Sequence, residues 1–289
     1  LSGLNEIDGM LLAMSGLMGL FGGLLVAMIV TILLPILEWL FKIPTDIRLL
    51  ELSNFNEPLL RKLALDAPGT HHHSLMVGDL AETAAEAIGA NSLLAKVGAY
   101  YHDIGKISQP GYFIENIQGS NPHDQLTPNM SSMIIRNHVK QGVEMARKAG
   151  LGADIIEIIE QHHGDSLLAF FFNKACETSK NQDNTLAAED GFRYPGPCPR
   201  SKEAAIVLIA DSVEAAARSM KSPSPSSLKS MVQKVTYAKF RDHQFDHCEL
   251  TFRELTIIAE SLYDRLLRNN HSRIEYPGFD FSSEGDKDK

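Results

Sequence analysis

From Leu11 to Leu37 the chain runs 27 residues without a formal charge. About 20 apolar residues are enough to cross the hydrocarbon core of a bilayer as a helix, so this run is expected to be a membrane-spanning segment. A signal peptide would need a basic leader, a shorter apolar core and a small-residue cleavage site. Here the leader carries Glu6 and Asp8, and Pro35, Glu38 and Trp39 close the run. The nearest basic residues, Lys42 and Arg48, lie on the C-terminal side, which by the positive-inside rule puts everything after about residue 42 in the cytoplasm, anchored to the cell (inner) membrane. Gly19 and Gly23 form a G-x-x-x-G with Gly16 and Gly22 beside them, a pattern that lets another helix approach closely and leaves a homodimer open.

The 289 residues contain 27 Lys plus Arg against 36 Asp plus Glu, a net charge of −9. No global basic field exists to hold a long nucleic acid, so that class of partner is disfavoured. With 44% hydrophobic and 22% charged residues, the chain can bury a core and lies away from the compositional regime of disorder. Cys176, Cys198 and Cys248 are too scattered for a C-x-x-C zinc site or a disulfide framework and read as free thiols of a reducing compartment.

The organisation expected is a membrane segment over 1–43, a juxtamembrane helical linker over 44–67, a cytoplasmic domain over 68–280 and a disordered tail over 281–289. Thr45 and Asn56 are plausible N-caps in the linker, with Pro44, Pro58 and Pro68 as punctuation. Beyond Ser74 the apolar residues recur at helical spacing, and no series of alternating strands is evident. The fold class is therefore all-α, with helices near 74–88, 92–103, 128–149, 153–162, 202–219, 225–240 and 251–269. Thr127-Pro128 reads as cap plus first turn, Gly150 as a stop, and Thr251 with Glu254 as a capping box. Ser108–Leu126 and Cys176–Arg200 are expected to be loops.

Chemistry concentrates in histidines and aspartates. His102-Asp103-Ile104-Gly105-Lys106 ends an apolar helix; adjacent imidazole and carboxylate can grip one divalent ion while a second carboxylate oxygen serves a neighbour. His73, 29 residues upstream, heads the apolar stripe Val77, Leu80, Ala84 and Ile88. His138 falls in the stripe Ile134, Ile135, Gly142 and Met145, with Arg136, Lys140 and Arg147 on other faces, and His162-His163 follow Ile155, Ile158 and Ile159. Asp211 lies in a helix beside Ala204, Val207, Leu208 and Ala215, where an unpaired carboxylate would be costly. A single histidine on an apolar face is commonly a hydrogen-bonded core residue. Five histidines and two aspartates turned inward from five segments ask for a common cause.

Four ligands, His73, His102, Asp103 and Asp211, would satisfy one ion and leave His138, His162 and His163 unexplained. Assigning those three to a second ion, with Asp103 bridging, uses every residue and favours a dinuclear site. Nitrogen and oxygen donors without thiolate suit two divalent transition-metal ions, manganese or iron foremost. Two such ions bring about +4, two aspartates and a bridging hydroxide leave roughly +1, and a phosphodiester carries about −1. The expected chemistry is in-line attack of a metal-bridging hydroxide on phosphorus, with Lys106, one turn beyond Asp103, contacting a phosphoryl or leaving oxygen.

Ala67-Pro68-Gly69-Thr70-His71-His72-His73-Ser74-Leu75-Met76-Val77-Gly78, Gly98-Ala99-Tyr100-Tyr101-His102-Asp103-Ile104-Gly105-Lys106 and Glu160-Gln161-His162-His163-Gly164 resemble the membrane-anchored seven-transmembrane HD-domain phosphohydrolase family. Phe192 to Pro197, Ala210 to Ala216 and His271 to Pro277 continue the likeness, and His71 before His72, where an aromatic is expected, departs from it slightly. The resemblance implies an HD-domain helical bundle that uses two metals to hydrolyse cyclic di-AMP to linear pApA. It carries ligand roles to His73, His102, Asp103, His138, His162, His163 and Asp211. The choice of cyclic di-AMP over cyclic di-GMP comes from it alone. Members of the family have an extracellular domain and further membrane helices ahead of this region, so the chain is expected to be the C-terminal part of such a protein. Arg193 and Tyr194 are then candidates for the second phosphate and an adenine ring. The alternatives are a mononuclear HD nucleotidase or nucleoside-triphosphate hydrolase, and a non-catalytic nucleotide-binding membrane receptor whose signature would be degenerate ligands.

Overall fold

The computed structural model describes residues 2–41, 45–180, 188–221 and 223–271. Among them every regular element is a helix, so the all-α expectation holds. The chain divides into two compact units, Leu1–Arg48 and Leu49–Lys289. The flanking Lys42, the tail over 281–289 and most of the His271 to Pro277 motif fall outside the described residues.

In the first unit, α1 covers Ser2–Phe41. Its Gly9–Leu34 segment is apolar enough to cross a membrane, and none of that window is buried by protein. Leu12, Met18 and Phe21 are 79%, 73% and 70% exposed. Apolar side chains displayed on every face of a helix need a hydrocarbon environment, which fits a membrane anchor.

Among the described residues the second unit holds nine whole helices and the last part of a tenth, which begins in the first unit. α2 is Asp46–Leu52, with the Arg48 amide donating to Thr45 Oγ1 at 3.3 Å as the capping reading expects. α3 is Pro58–Asp66 and opens at Glu57, with no side-chain cap; Asn56 is not its cap. α4, Pro68–Ile88, starts six residues earlier than periodicity suggests, because Pro68 occupies the first turn, where its missing N–H costs nothing. α5 is Ser92–Tyr101 and α6 Pro128–Lys148, capped by Asn91 and Thr127. α7 is Ala153–Gln161. α8, Ala169–Lys180, corrects the loop reading of its last residues; its Ala-Phe-Phe-Phe start has no polar face from which a period could be read. α9 is Lys202–Ser219, α10 Pro225–Arg241 and α11 Phe252–His271. The expected loop Ser108–Leu126 holds only short 3₁₀ turns at Pro110–Tyr112 and Pro122–Gln125.

α5 lies between two apolar cores. Its Ala95 and Ala99 join α4, α9, α10 and α11, whereas Val97, Tyr100 and Tyr101 join α2, α3, α6 and α7. α9 is buried around most of its circumference, from Ala204 to Ala210. Each fully buried Ile or Leu there contributes about 1.5–3 kcal/mol. Small residues let the layers close. A Cβ on Gly105 would overlap the His138 carbonyl oxygen and come within 2.6 Å of the Gly142 nitrogen, so the turn after Asp103 lies directly on the α6 backbone. That contact brings the carboxylate of Asp103 against the imidazole of His138.

Candidate metal centre

The seven candidate ligands arise from α4 (His73), the end of α5 and the turn after it (His102, Asp103), α6 (His138), the end of α7 (His162, His163) and α9 (Asp211). All are buried except the partly exposed His163. Asp103 stands at the centre. Its Oδ2 lies 3.1 Å from His102 Nε2 and 3.5 Å from His73 Nε2, while Oδ1 lies 3.2 Å from His138 Nε2 and 3.7 Å from His162 Nε2. Asp211 closes the opposite side, with Oδ1 3.1 Å from His73 Nε2 and Oδ2 3.6 Å from His163 Nδ1.

The ring orientations have local causes. His102, His138 and His162 each direct Nδ1 at the carbonyl three residues earlier, those of Ala99, Ile135 and Ile159, at 2.6 to 2.7 Å. For His102 and His162 the carbonyl is one that a helix end leaves unpaired, whereas His138 shares an interior carbonyl of α6; in each the bond fixes the tautomer that leaves the Nε2 lone pair directed inward. His73 uses a carboxylate instead, Glu214 Oε2 at 2.6 Å.

Two sets of donors gather their atoms within 4.8 Å: His73, His102 and Asp103, and Asp103, His138, His162 and His163, with Asp103 common to both. Among the described residues His102 Nε2 and Asp103 Oδ1 are buried without a hydrogen-bond partner. Orphaned polar atoms of this kind are expensive. Imidazole nitrogens and carboxylate oxygens that converge on one volume fit divalent cations.

The electrostatics agree. Burial works to raise the Asp103 carboxyl, yet the charges of His102 and Lys106 outweigh it and hold it well below the usual carboxylate range. Asp211 is likewise lowered against burial, through the His73 hydrogen bond. Burial pushes His162 down to about 4, and burial with His162 beside it lowers His163 as well, so both are neutral near pH 7. On His73 burial is outweighed by hydrogen bonds to Asp211 and Glu214, which raise it to about 9, so a bound cation would displace its proton.

Lys106 Nζ sits 2.7 Å from Asp103 Oδ2 and 2.8 Å from Glu115 Oε1. Burial disfavours its charge, but the two carboxylates outweigh that and raise its pKa. Tyr194 stacks on His163 with centroids 4.1 Å apart and meets His138 edge-on. The Arg193 guanidinium is taken up by protein groups: it joins Glu189 and Asp242 and donates to the Asp165 carbonyl oxygen. Arg136, assigned to an outer face of α6, instead donates to the Arg193 carbonyl at 2.7 Å.

Glu115 and Glu214 were missed by sequence reasoning. Glu214 had a signal, since it falls three residues after Asp211 and so on the same helix face; Glu115, inside an irregular loop, had none.

The cyclic-di-AMP phosphodiesterase PgpH of Bacillus subtilis (strain 168) is 48% identical over 274 residues, covering 94% of this chain and 38% of that protein. The PgpH of Listeria monocytogenes serotype 1/2a (strain 10403S) is 46% identical over 245 residues, covering 84% of this chain and 33% of its own length. The chain thus spans somewhat over a third of one and a third of the other. The crystal structure of the L. monocytogenes phosphodiesterase PgpH HD domain in complex with cyclic-di-AMP superposes with a TM-score of 0.71 at 46% identity, covering 75% of this chain and 100% of that one. The HD domain model matches residues 70–216, about half of the sequence and all seven candidate ligands. On this match the chain belongs to the HD-domain family.

Proposed function

We propose that residues 68–280 form the catalytic domain of a phosphodiesterase that hydrolyses cyclic di-AMP to linear pApA, held at the cytoplasmic face of the cell membrane by residues 1–43 through the linker 44–67. The single observation that carries this is Asp103, one carboxylate shared by two donor sets. In this reading His73, His102, Asp103 and Asp211 hold one divalent ion and His138, His162 and His163 hold a second with Asp103, manganese or iron being the ions. Bound there, two such ions supply Lewis-acid polarisation of the phosphoryl oxygens and a water acidic enough to attack at neutral pH.

The chain's own groups do the rest. His162 and His163 stay neutral through burial and so remain donors. Lys106, held by Glu115, keeps an ammonium beside Asp103, where charge grows on a phosphoryl oxygen. Tyr194 covers His163 and His138 and keeps bulk water from that side. No side-chain nucleophile is called for. A mononuclear nucleotidase would leave His138, His162 and His163 without a task.

The test is to incubate the purified chain, loaded with manganese or iron, with cyclic di-AMP and cyclic di-GMP and to resolve the products. Cyclic di-AMP is expected to yield linear pApA, with His102→Ala and Asp103→Ala inactive but still helical. Near-normal turnover by either variant, or an absence of turnover in the wild type, would refute the reading.

A further inference from the structure

Cyclic di-AMP carries two phosphates, and a dinuclear centre neutralises only the one being cleaved, so a site built for the whole molecule needs a cation for the other. Most of the nearby cations are committed. Lys106 is clamped between Asp103 and Glu115, and Arg193 between Glu189 and Asp242. Arg136 has no carboxylate partner among the described residues; it donates to the Arg193 carbonyl at 2.7 Å, and its buried Nε is without a partner.

Lys239, on α10, is held by a hydroxyl next to the ligand loop. Its Nζ donates to Ser166 Oγ at 2.8 Å, and among the described residues no carboxylate lies within ion-pair distance of it. An ammonium has three donors, so two remain available. Ser166 belongs to the loop that carries the candidate ligands: its amide donates to the His163 carbonyl at 3.1 Å, and its own carbonyl accepts from the Tyr194 amide at 3.0 Å. Burial lowers the Lys239 ammonium, while Asp211, Asp242 and Asp165 favour its charge without touching it. A partly desolvated cation held by a neutral hydroxyl is a receptor for an anion, because a phosphate supplies the counter-charge the protein withholds.

We propose that Lys239, positioned by Ser166, binds the phosphate of the cyclic dinucleotide that is not being cleaved. The inference rests on the reading above and deepens it. It makes Lys239 a substrate-binding residue that the residue pattern alone did not select.

The experiment compares the full chain with Lys239→Gln and Lys239→Arg on two substrates, cyclic di-AMP and bis-para-nitrophenyl phosphate, a diester with a single phosphate, while bound metal is measured in each protein. A hydrogen bond to a charged group is worth a factor of about 10 to 100. Lys239→Gln should raise KM for cyclic di-AMP by about that factor with kcat much less affected, and the loss should exceed that on the one-phosphate diester at least tenfold. Lys239→Arg should recover most of it. Equal losses on both substrates, lost metal, or an unchanged KM would overturn this inference while leaving the phosphodiesterase reading standing. A metal-loaded wild type that cleaves the simple diester but not cyclic di-AMP would sink both.

Discussion

Glu214 Oε2 lies 2.6 Å from His73 Nδ1, the position that backbone carbonyls of Ala99, Ile135 and Ile159 occupy for His102, His138 and His162. A carboxylate there fixes the tautomer and also raises the basicity of the opposite nitrogen, so α9 acts on one edge of the centre twice, through Asp211 and through Glu214. Glu214→Gln keeps the shape and removes the charge. The expected result is metal affinity lowered about 10- to 100-fold on the His73 side with little effect on the other set. Metal titration by calorimetry checks it; a single unchanged isotherm would refute it.

Asp103 offers one oxygen to each donor set, so its replacement should differ in kind from that of Asp211. Asp103→Asn is expected to abolish both metal sites, and Asp211→Asn only one, as read by elemental analysis of the purified proteins. Chelation of the wild type should lower Tm, since an ion bound only by the folded state stabilises it by about 2.7 kcal/mol at one hundred times its dissociation constant. Asp103→Asn should then show no Tm response to added metal.

Much of the centre was legible before any coordinates. Helical periodicity put His73, His138 and Asp211 on apolar faces because burial acts on whole stripes, and the Thr127-Pro128 start and Gly150 stop of α6 follow local rules. What escaped is set by distance in space rather than along the chain. Glu115 reaches Lys106 only because an irregular loop folds back, and Arg136 turns toward Arg193 because α6 packs beside the turn preceding that residue. Arg193, expected at a phosphate, sits among acids 4 and 49 residues away that no local pattern links. Helix α8 was missed since Phe170, Phe171 and Phe172 show no alternation with polar residues.

Gly105 provides a test of how closely the turn after Asp103 rests on α6. A methyl group there meets backbone, the His138 carbonyl and the Gly142 nitrogen, neither of which can rotate away. Gly105→Ala is expected to cost about 1–3 kcal/mol or more and to weaken metal binding by parting Asp103 from His138. Gly111→Ala, with nothing within 4 Å of the added carbon, should stay within about 0.5 kcal/mol. Denaturant midpoints for the two variants decide the matter; equal midpoints would contradict the close approach.

The start of α11 yields a prediction about pH. Thr251 and Glu254 form a reciprocal capping box, the Thr251 amide donating to Glu254 Oε2 at 2.8 Å and the Glu254 amide to Thr251 Oγ1 at 3.2 Å, and Lys202 of α9 ion-pairs with the same carboxylate. The Lys202 hydrogen bond, then those from Thr251, hold the Glu254 carboxyl at about 2, below its ordinary 4.5. A depressed folded-state pKa means that the unfolded chain takes up the proton first as pH falls. The stabilisation is therefore complete above about pH 4.5 and disappears as the pH drops through about 2. Glu254 is partly exposed, so the effect is small and screened by salt. Glu254→Gln should be less stable than the wild type at pH 7, with the gap narrowing through that window and shrinking in high salt. A gap that stayed constant from pH 7 to pH 2 would show that the carboxylate charge has no part in joining α11 to α9.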